Sequence, residues 1–404
     1  MLIKSLAGKI MFIDEPLPFV KEFINHSCYA ERIKKKKVVK LSILKMVLVK
    51  LTKMKTDLLD IYTDYLISSF SQTSATGLSR LLDGEISHDQ VTRLLSQSMF
   101  SSNRLWHLVK PAVREMERED AVLIFDDTIE EKPYTDENEI VTWHFDHSKG
   151  RTVKGINLLN ALYHVPDVTF PVAFEIISKP IVYCDLKTRK IKRRSEVTPN
   201  ELLRQLLKIC QKNQLHYQYV LADIWYASTE NMQEIKTPLK KDFVMGMKSN
   251  RQAALSLEDN KLGRFVRIDS LELESGSTQL VYLKGLDFPV QLTKQVFKNK
   301  DESEGIFYLV CSDLQLNYDS ITTLYQKRWK VEVFHKSIKS NTSLSKSPTR
   351  TVRTQSNHIF ASIYAAFKLE LLKLKHHSNH FALKTKLYIK AWPASFSELH
   401  RLSA

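Results

Sequence analysis

The sequence predicts an α/β protein in which strands and helices are mixed along most of the chain. Three observations lead there. Short apolar runs ending in acids, "AVLIFDD" and "YQYVLADIWY", have the length of buried strands with a polar residue at the end. They alternate with stretches of helical period such as "TPNELLRQLLKICQKNQ", whose Pro199 falls near the start, where a missing N–H costs nothing. Finally, 404 residues with 43% hydrophobic and 26% charged content make an ordinary globular chain with room for two or three domains.

Residues 1–53 differ in texture from the rest. The run "RIKKKKVVK", Arg32 to Lys40, reads as solvated coil in a basic, partly disordered extension. "LSILKMVLVKLTKM", Leu41 to Met54, mixes apolar residues and lysines as a basic amphipathic or partner-packed helix would, and Met54 is a second candidate initiator beside Met1.

Residues 54–118 predict a helical region. Leu58, Leu59, Tyr62, Tyr65 and Leu66 recur at helical spacing. "TGLSRLLDGEISHDQVTRLLSQS" then gives two short helices joined at Asp83 and Gly84, with Ser87 and Gln90 forming a capping box that starts the second at His88. Such a pair is either a plain helical hairpin or a helix-turn-helix that offers His88, Gln90 and Arg93 to DNA.

Residues 119–250 carry the strands "AVLIFDD", "GINLLNALYHV", "PVAFEII" and "DFVMGMK"; residues 251–320 are β-rich, with "TQLVYLKG" and "GIFYLVCS". Residues 321–375 hold "YQKRWKVEVFHKSIK", Tyr325 to Lys339, and the long helix "NHIFASIYAAFKLELLKLK", and residues 376–404 form a C-terminal tail. No solenoid-length repeat interrupts this order.

Sixty lysines and arginines against 45 acids give a formal charge of +15, which favours a polyanionic partner. Cys28, Cys184, Cys210 and Cys311 are scattered without C-x-x-C spacing, which suggests neither a zinc site nor a disulfide framework and fits a reducing compartment. No apolar run approaches the roughly 18 residues of a spanning helix, and the N-terminus lacks a secretory pattern. The expectation is a cytoplasmic, nucleoid-associated protein with no membrane partner.

Two apolar runs end in aspartate: Asp126 or Asp127 after Val122 to Phe125, and Asp223 after Tyr219 to Ala222. A carboxylate at the end of a strand is held on rigid backbone, well suited to a metal, though such acids also cap helices and start turns. Glu332 is the one carboxylate among the cations of Tyr325 to Lys339. On a single helix turning about 100° per residue, Tyr325, Arg328, Glu332 and Lys339 share a stripe roughly 60° wide. There Glu332 is either an ordinary i,i+4 partner of Arg328 and Lys336 or a metal ligand framed by phosphate-binding cations. Three carboxylates form the hard oxygen set that suits Mg²⁺, and two such ions can assist in-line displacement at a phosphodiester.

Tyr325, Arg328, Glu332 and Lys339 also match the Tyr-x2-Arg-x3-Glu-x6-Lys signature at every spacing, with Trp329 and "FHKSIK" agreeing around it. In these residues, and in "FDDTIEEK" and "LADIWYAS", the chain resembles the bacterial DDE transposases of the insertion-sequence-four type over roughly residues 54–375. The resemblance implies a ribonuclease-H-like mixed-sheet catalytic core, a mostly β insertion at 251–320 and an α-helical N-terminal DNA-binding region. It implies Asp126, Asp223 and Glu332 as catalytic metal ligands, with Asp127 as the fallback for the first. It implies two Mg²⁺ ions, with Mn²⁺ as substitute and no other cofactor. Tyr325, Arg328 and Lys339 carry over as DNA contacts; Lys336 shares their face, and Arg93 serves the N-terminal helices. The implied partner is double-stranded DNA, both element ends and target, engaged by a homodimer on paired ends.

Trp329 points off the stripe and is expected to pack in the core. No tryptophan lies between Trp225 and Trp329, which leaves Phe265, Tyr282 and Phe288 in the β-rich region first as core residues and otherwise as substitute stacking surfaces. "WHFDHSKGRTVKG" brings together His144, Asp146 and His147, a grouping that hints at metal binding but fits no common zinc pattern, and reads as a β-hairpin offering Lys149, Arg151 and Lys154 to DNA. "KTRKIKRR", Lys187 to Arg194, reads as a phosphate-contacting loop. Two rival functions remain: an element-derived DNA-binding protein that no longer cuts, and a ribonuclease-H-like nuclease without strand transfer.

Overall fold

A computed structural model describes residues 57–147, 149–298 and 301–403. The expectations for residues 1–53, Leu41 to Met54 and the two initiators lie outside the described residues. The chain divides into two compact units, one formed by residues 1–57 with 145–152 and the other by residues 58–144 with 153–404. In the first unit, the described part is a tight turn: the Lys149 amide donates to Asp146 Oδ1 at 3.2 Å, and the Phe145 ring stands edge-on to His147 at 4.8 Å.

The second unit is built on one mixed sheet. Its first strands are β1 (Val122–Glu131), β2 (Thr142–Asp146), β3 (Arg151–Val165), β4 (Val168–Ile176), β7 (Tyr219–Ala222) and β8 (Asp242–Met247), with a separate hairpin β5 (Ile181–Asp185) and β6 (Lys190–Arg194) between. β3 pairs antiparallel with both β1 and β4, whereas β7 runs parallel to both β1 and β8. The order β4-β3-β1-β7-β8, antiparallel on one side of β1 and parallel on the other, is a ribonuclease-H-like core. Val122 to Phe125 of β1, Ala161 to Tyr163 of β3 and all of β7 are buried because both faces of the sheet are covered there.

The β-rich region does not form a separate layer. β9 (Gln252–Ala254), β10 (Val266–Arg267), β11 (Thr278–Leu283), β12 (Val290–Lys298) and β13 (Glu304–Cys311) extend the same sheet, since β13 pairs with β8 from Cys311↔Val244 to Tyr308↔Met247. The eleven-strand order is β10-β9-β11-β12-β13-β8-β7-β1-β3-β2, with β4 on β3. Phe265, Tyr282 and Phe288 are all half-buried there, and Phe288 packs on the core beside Phe243.

The helices are α1 (Leu58–Ser68), α2 (Ala75–Leu81), α3 (His88–Ser96), α4 (Ser102–Met116), α5 (Pro199–Lys212), α6 (Thr229–Lys236), α7 (Leu257–Lys261), α8 (Tyr318–Gln326), α9 (Trp329–Asn341), α10 (Val352–His376) and α11 (His380–Ser403). α10 is buried almost all round, which suits a central helix. It anchors the N-terminal helices to the core through satisfied polar groups. Asn357 accepts from the Phe100 amide at 2.7 Å and donates to Leu95 O at 2.9 Å, while the His358 ring bridges the Tyr62 hydroxyl and Ser343 O at 2.9 and 3.0 Å. Leu59, Tyr62 and Leu66 bury their side chains in the same core, each contributing on the order of 2 kcal/mol.

The capping box appears as the sequence predicts: Gln90 N donates to Ser87 Oγ at 3.3 Å and Ser87 N to Gln90 Oε1 at 2.8 Å. The turn before it uses positive φ at Asp83 and Gly84. Val91, Leu94 and Leu95 face inward, leaving His88 and Arg93 exposed, but the side chain of Gln90 is committed to the cap. The tail at 376–404 is largely helix, and His380 at the start of α11 ties it back to Ser337 and Glu370. One other expectation needs correction. The Lys187-to-Arg194 loop is half of a hairpin, because Lys190 to Arg194 pair with Asp185 to Ile181. Among the described residues no helix is long and apolar enough to cross a membrane.

Candidate active site

Strand register brings the first two acids together. The parallel β1–β7 ladder ends at Phe125↔Ala222, and the next residue on each strand is Asp126 and Asp223. Neighbouring strands lie about 4.8 Å apart, so the two carboxylates leave the sheet side by side. Asp126 is buried; its Oδ1 accepts from the Asp127 amide at 2.9 Å and its Oδ2 from Arg328 Nη1 at 2.7 Å. Asp223 Oδ1 accepts from the Trp225 amide at 2.7 Å, which fixes the turn leaving β7.

Burial, then the nearby Asp223 charge, pushes the Asp126 carboxyl well above the usual carboxylate range, against the pull of Arg328. Burial likewise raises Asp223, against the Trp225 amide bond and the Arg328 charge. Asp127 points elsewhere, as strand alternation requires, and its Oδ1 accepts from the Tyr226 hydroxyl at 2.7 Å.

The third acid arrives on α9. Arg328 Nη1 lies 3.6 Å from Glu332 Oε1, so one guanidinium spans Asp126 and Glu332. The Arg328 side chain is 9% exposed and that of Glu332 43%, which makes Glu332 the acid open to solvent. Among the described residues no three His, Cys, Asp or Glu side chains converge closely enough, as they stand, to hold a metal ion.

The segment Tyr325 to Lys339 is not one helix. α8 ends at Gln326 and α9 begins at Trp329, joined by a tight turn in which Arg328 N donates to Tyr325 O and Val331 N to Arg328 O. These i+3 bonds tighten the chain at Lys327 and Arg328, yet Arg328 still lies 5.7 Å over the Tyr325 ring and reaches Glu332 at 3.6 Å. Tyr325 packs against the Phe307 ring at 5.8 Å over Gly246, where a Cβ would meet its hydroxyl at 3.3 Å. Lys339 Nζ donates to Ile129 O on β1 at 2.7 Å, and Lys336 lies over the Phe381 ring at 5.3 Å. Trp329 is 48% exposed and so is not the core residue the wheel predicts. Arg93 is on the N-terminal helix α3, its Nε donating to Asp89 O at 3.3 Å.

Four supporting residues are not singled out by the sequence, though His335 lies in "FHKSIK" and Trp225 and Tyr226 in "LADIWYAS". Asn160 sits opposite Asp126 on β3, wholly buried, with Nδ2 3.1 Å from His335 Nε2 and Oδ1 without a partner. Burial drives the His335 imidazole down to about 3, so it is neutral. Tyr226 holds Asp127, and Trp225, 46% exposed beside Asp223, carries Lys248 Nζ at 4.1 Å over its ring. Only the pairing of β1 with β3 and the turn after β7 identify them.

Fold and side-chain placement define a ribonuclease-H-like protein with acids at the open end of adjacent strands. Comparison of the sequence with family models narrows this. Residues 47–259, over half the chain, match the model described as DDE superfamily endonuclease, and residues 190–367 match the transposase DDE domain. The chain belongs to the DDE superfamily. No curated protein matches it.

Proposed function

We propose that the chain is the transposase of a bacterial insertion sequence, which binds the element ends as a homodimer, cleaves a strand at each and transfers the freed ends to target DNA. The observation that carries this reading is the meeting of Asp126 and Asp223 at the end of the β1–β7 ladder, with Glu332 joined to Asp126 through Arg328. The +15 charge suits a DNA substrate.

The donor set fits Mg²⁺. Asp126, Asp223 and Glu332 are hard oxygen donors, Asn160 Oδ1 beside Asp126 is buried and unpartnered, and Arg328 already sits as the counter-cation of two of the acids. The three carboxylates would hold the ions, with Mn²⁺ as substitute. Two bound ions would stabilise charge on the attacking and leaving oxygens.

The chain's own residues do the positioning. Arg328 can release Asp126 and present its fork to a phosphate; Lys339, held at Ile129 O, supplies a point charge, and the Tyr325 hydroxyl is set at the same end of the sheet over Gly246. Lys336 is a further contact on α9, and Arg93 meets DNA beyond the cut. Water attacks the phosphorus, the 3′ oxygen leaves with a proton, and that hydroxyl then attacks a target phosphodiester and displaces its 3′ oxygen.

The test is incubation with the protein's own element ends, with and without Mg²⁺, comparing wild type with Glu332→Gln. Strand nicking should need the ion and vanish in the variant. Nicking by Glu332→Gln would remove that residue from the chemistry, and end binding with no nicking by wild type would favour a non-cutting DNA-binding protein.

A further inference from the structure

The β5–β6 hairpin stands outside the acid cluster. Its fourteen residues, 181–194, hold six cations and one acid, Asp185. That acid is committed to the turn: Oδ1 accepts from the Lys187 and Thr188 amides at 3.0 and 2.9 Å, its carbonyl takes the Arg189 amide, and the carboxylate pairs with Lys192. Arg193 ties the base of the hairpin down, with Nε 3.5 Å from Glu137. Lys187, Arg189, Lys190 and Arg194 are left with no carboxylate partner among the described residues, so the arm presents uncancelled positive charge.

The register sorts the two faces. Tyr183 pairs with Lys192, and Arg194 lies over the Tyr183 ring at 5.7 Å on one face; Val182, Cys184 and Ile191 share the other. Ile191 is 77% exposed, and at the tip Leu186 is 90% exposed between Asp185 and Lys187. Single exposed apolar residues are ordinary. An apolar tip flanked by free cations on a narrow two-stranded ribbon has the chemistry of a side chain that wedges between base pairs while its neighbours hold phosphates.

We propose that this hairpin is a DNA-bending arm that enters the minor groove, wedges Leu186 into a base step and seats Lys187, Arg189 and Lys190 on the flanking phosphates. The inference rests on the DNA-processing function proposed above but needs no cleavage. It adds a contact away from the acids that deforms the duplex.

The test measures binding of a short mixed-sequence duplex, labelled at both ends for energy transfer, across a salt series. The triple variant Lys187→Ala, Arg189→Ala, Lys190→Ala should flatten the slope of log K against log [salt] by roughly 2 to 3, at about 0.9 per phosphate contact. The pair Lys208→Ala, Lys212→Ala on α5 should leave it unchanged. Leu186→Ser should keep the wild-type slope and lose the bend, and a minor-groove ligand should abolish the bend in wild type.

An unchanged slope in the triple variant, with wild type still binding duplex, overturns the arm and leaves the proposed function standing. A bend that survives Leu186→Ser overturns the wedge. Loss of binding to phosphatidylserine vesicles in the triple variant, with duplex binding intact, would make the hairpin a membrane contact and also overturn the proposal. Failure of wild type to bind duplex would overturn both this inference and the function on which it rests.

Discussion

Arg328 donates to Asp126 at 2.7 Å across 202 residues of chain, and both side chains are almost wholly buried. The pair joins α9 to the open end of β1. It also places a cation between two acids that would otherwise repel, since the same guanidinium reaches Glu332 at 3.6 Å.

Removing that cation should therefore weaken the fold. Arg328→Ala leaves Asp126 buried beside Asp223 without its partner and should cost about 3 kcal/mol in chemical denaturation. The double variant Arg328→Ala, Asp126→Asn should recover most of the loss. Equal losses in the two would show that the pair holds nothing.

Asp223 should have the opposite effect. Its charge raises Asp126 and its own burial disfavours ionisation. Asp223→Asn keeps an acceptor for the Trp225 amide and removes the repulsion, so it should gain roughly 1 kcal/mol of stability while abolishing strand cleavage. Thermal melts and a nicking assay on the same preparation would check both halves.

Gly246 sits where β8 passes under Tyr325. A Cβ there would stand 3.0 Å from the Phe307 ring and 3.3 Å from both the Tyr325 hydroxyl and the Ile224 amide. The backbone contact cannot swing away as a side chain can. Gly246→Ala should cost about 1–2 kcal/mol and impair cleavage more than DNA binding, measured side by side.

Acid should destabilise the protein through its buried histidines. Burial lowers His358 and His164 to about 4 and His335 to about 3, so the unfolded chain takes up protons that the folded one refuses as pH falls from about 6.5 toward 4. Their contribution is complete above pH 6.5 and fades below it. The raised Asp126 and Asp223 act in the other direction, binding protons in the folded state. A His358→Gln variant separates the two, since its stability-against-pH slope should fall by about one proton in that window.

Much of this architecture is legible in the sequence because it is local. Strands β1, β3, β7 and β8 announce themselves as apolar runs, α5 by Pro199 and its period, and α3 by the Ser87–Gln90 box. The acids at the strand ends are equally visible.

What one-dimensional periodicity misses depends on partners distant in sequence. A helical wheel drawn from Tyr325 to Lys339 assumes unbroken winding, yet the chain tightens at Lys327 and Arg328, where Arg328 turns inward to Asp126 and Trp329 is left in solvent. Asn160 and His335, distant in sequence, meet because β3 pairs with β1 and α9 crosses that end of the sheet.

By itself the sequence determined the types of element, the basic charge and the three acids available for chemistry, since each follows from side chains within a few turns of one another. Tertiary structure alone decided that Phe125 pairs with Ala222, which puts Asp126 beside Asp223, and that Arg328 closes the gap to Glu332. Register and helix docking are set by packing across the whole sheet, and no stretch of sequence contains that information locally.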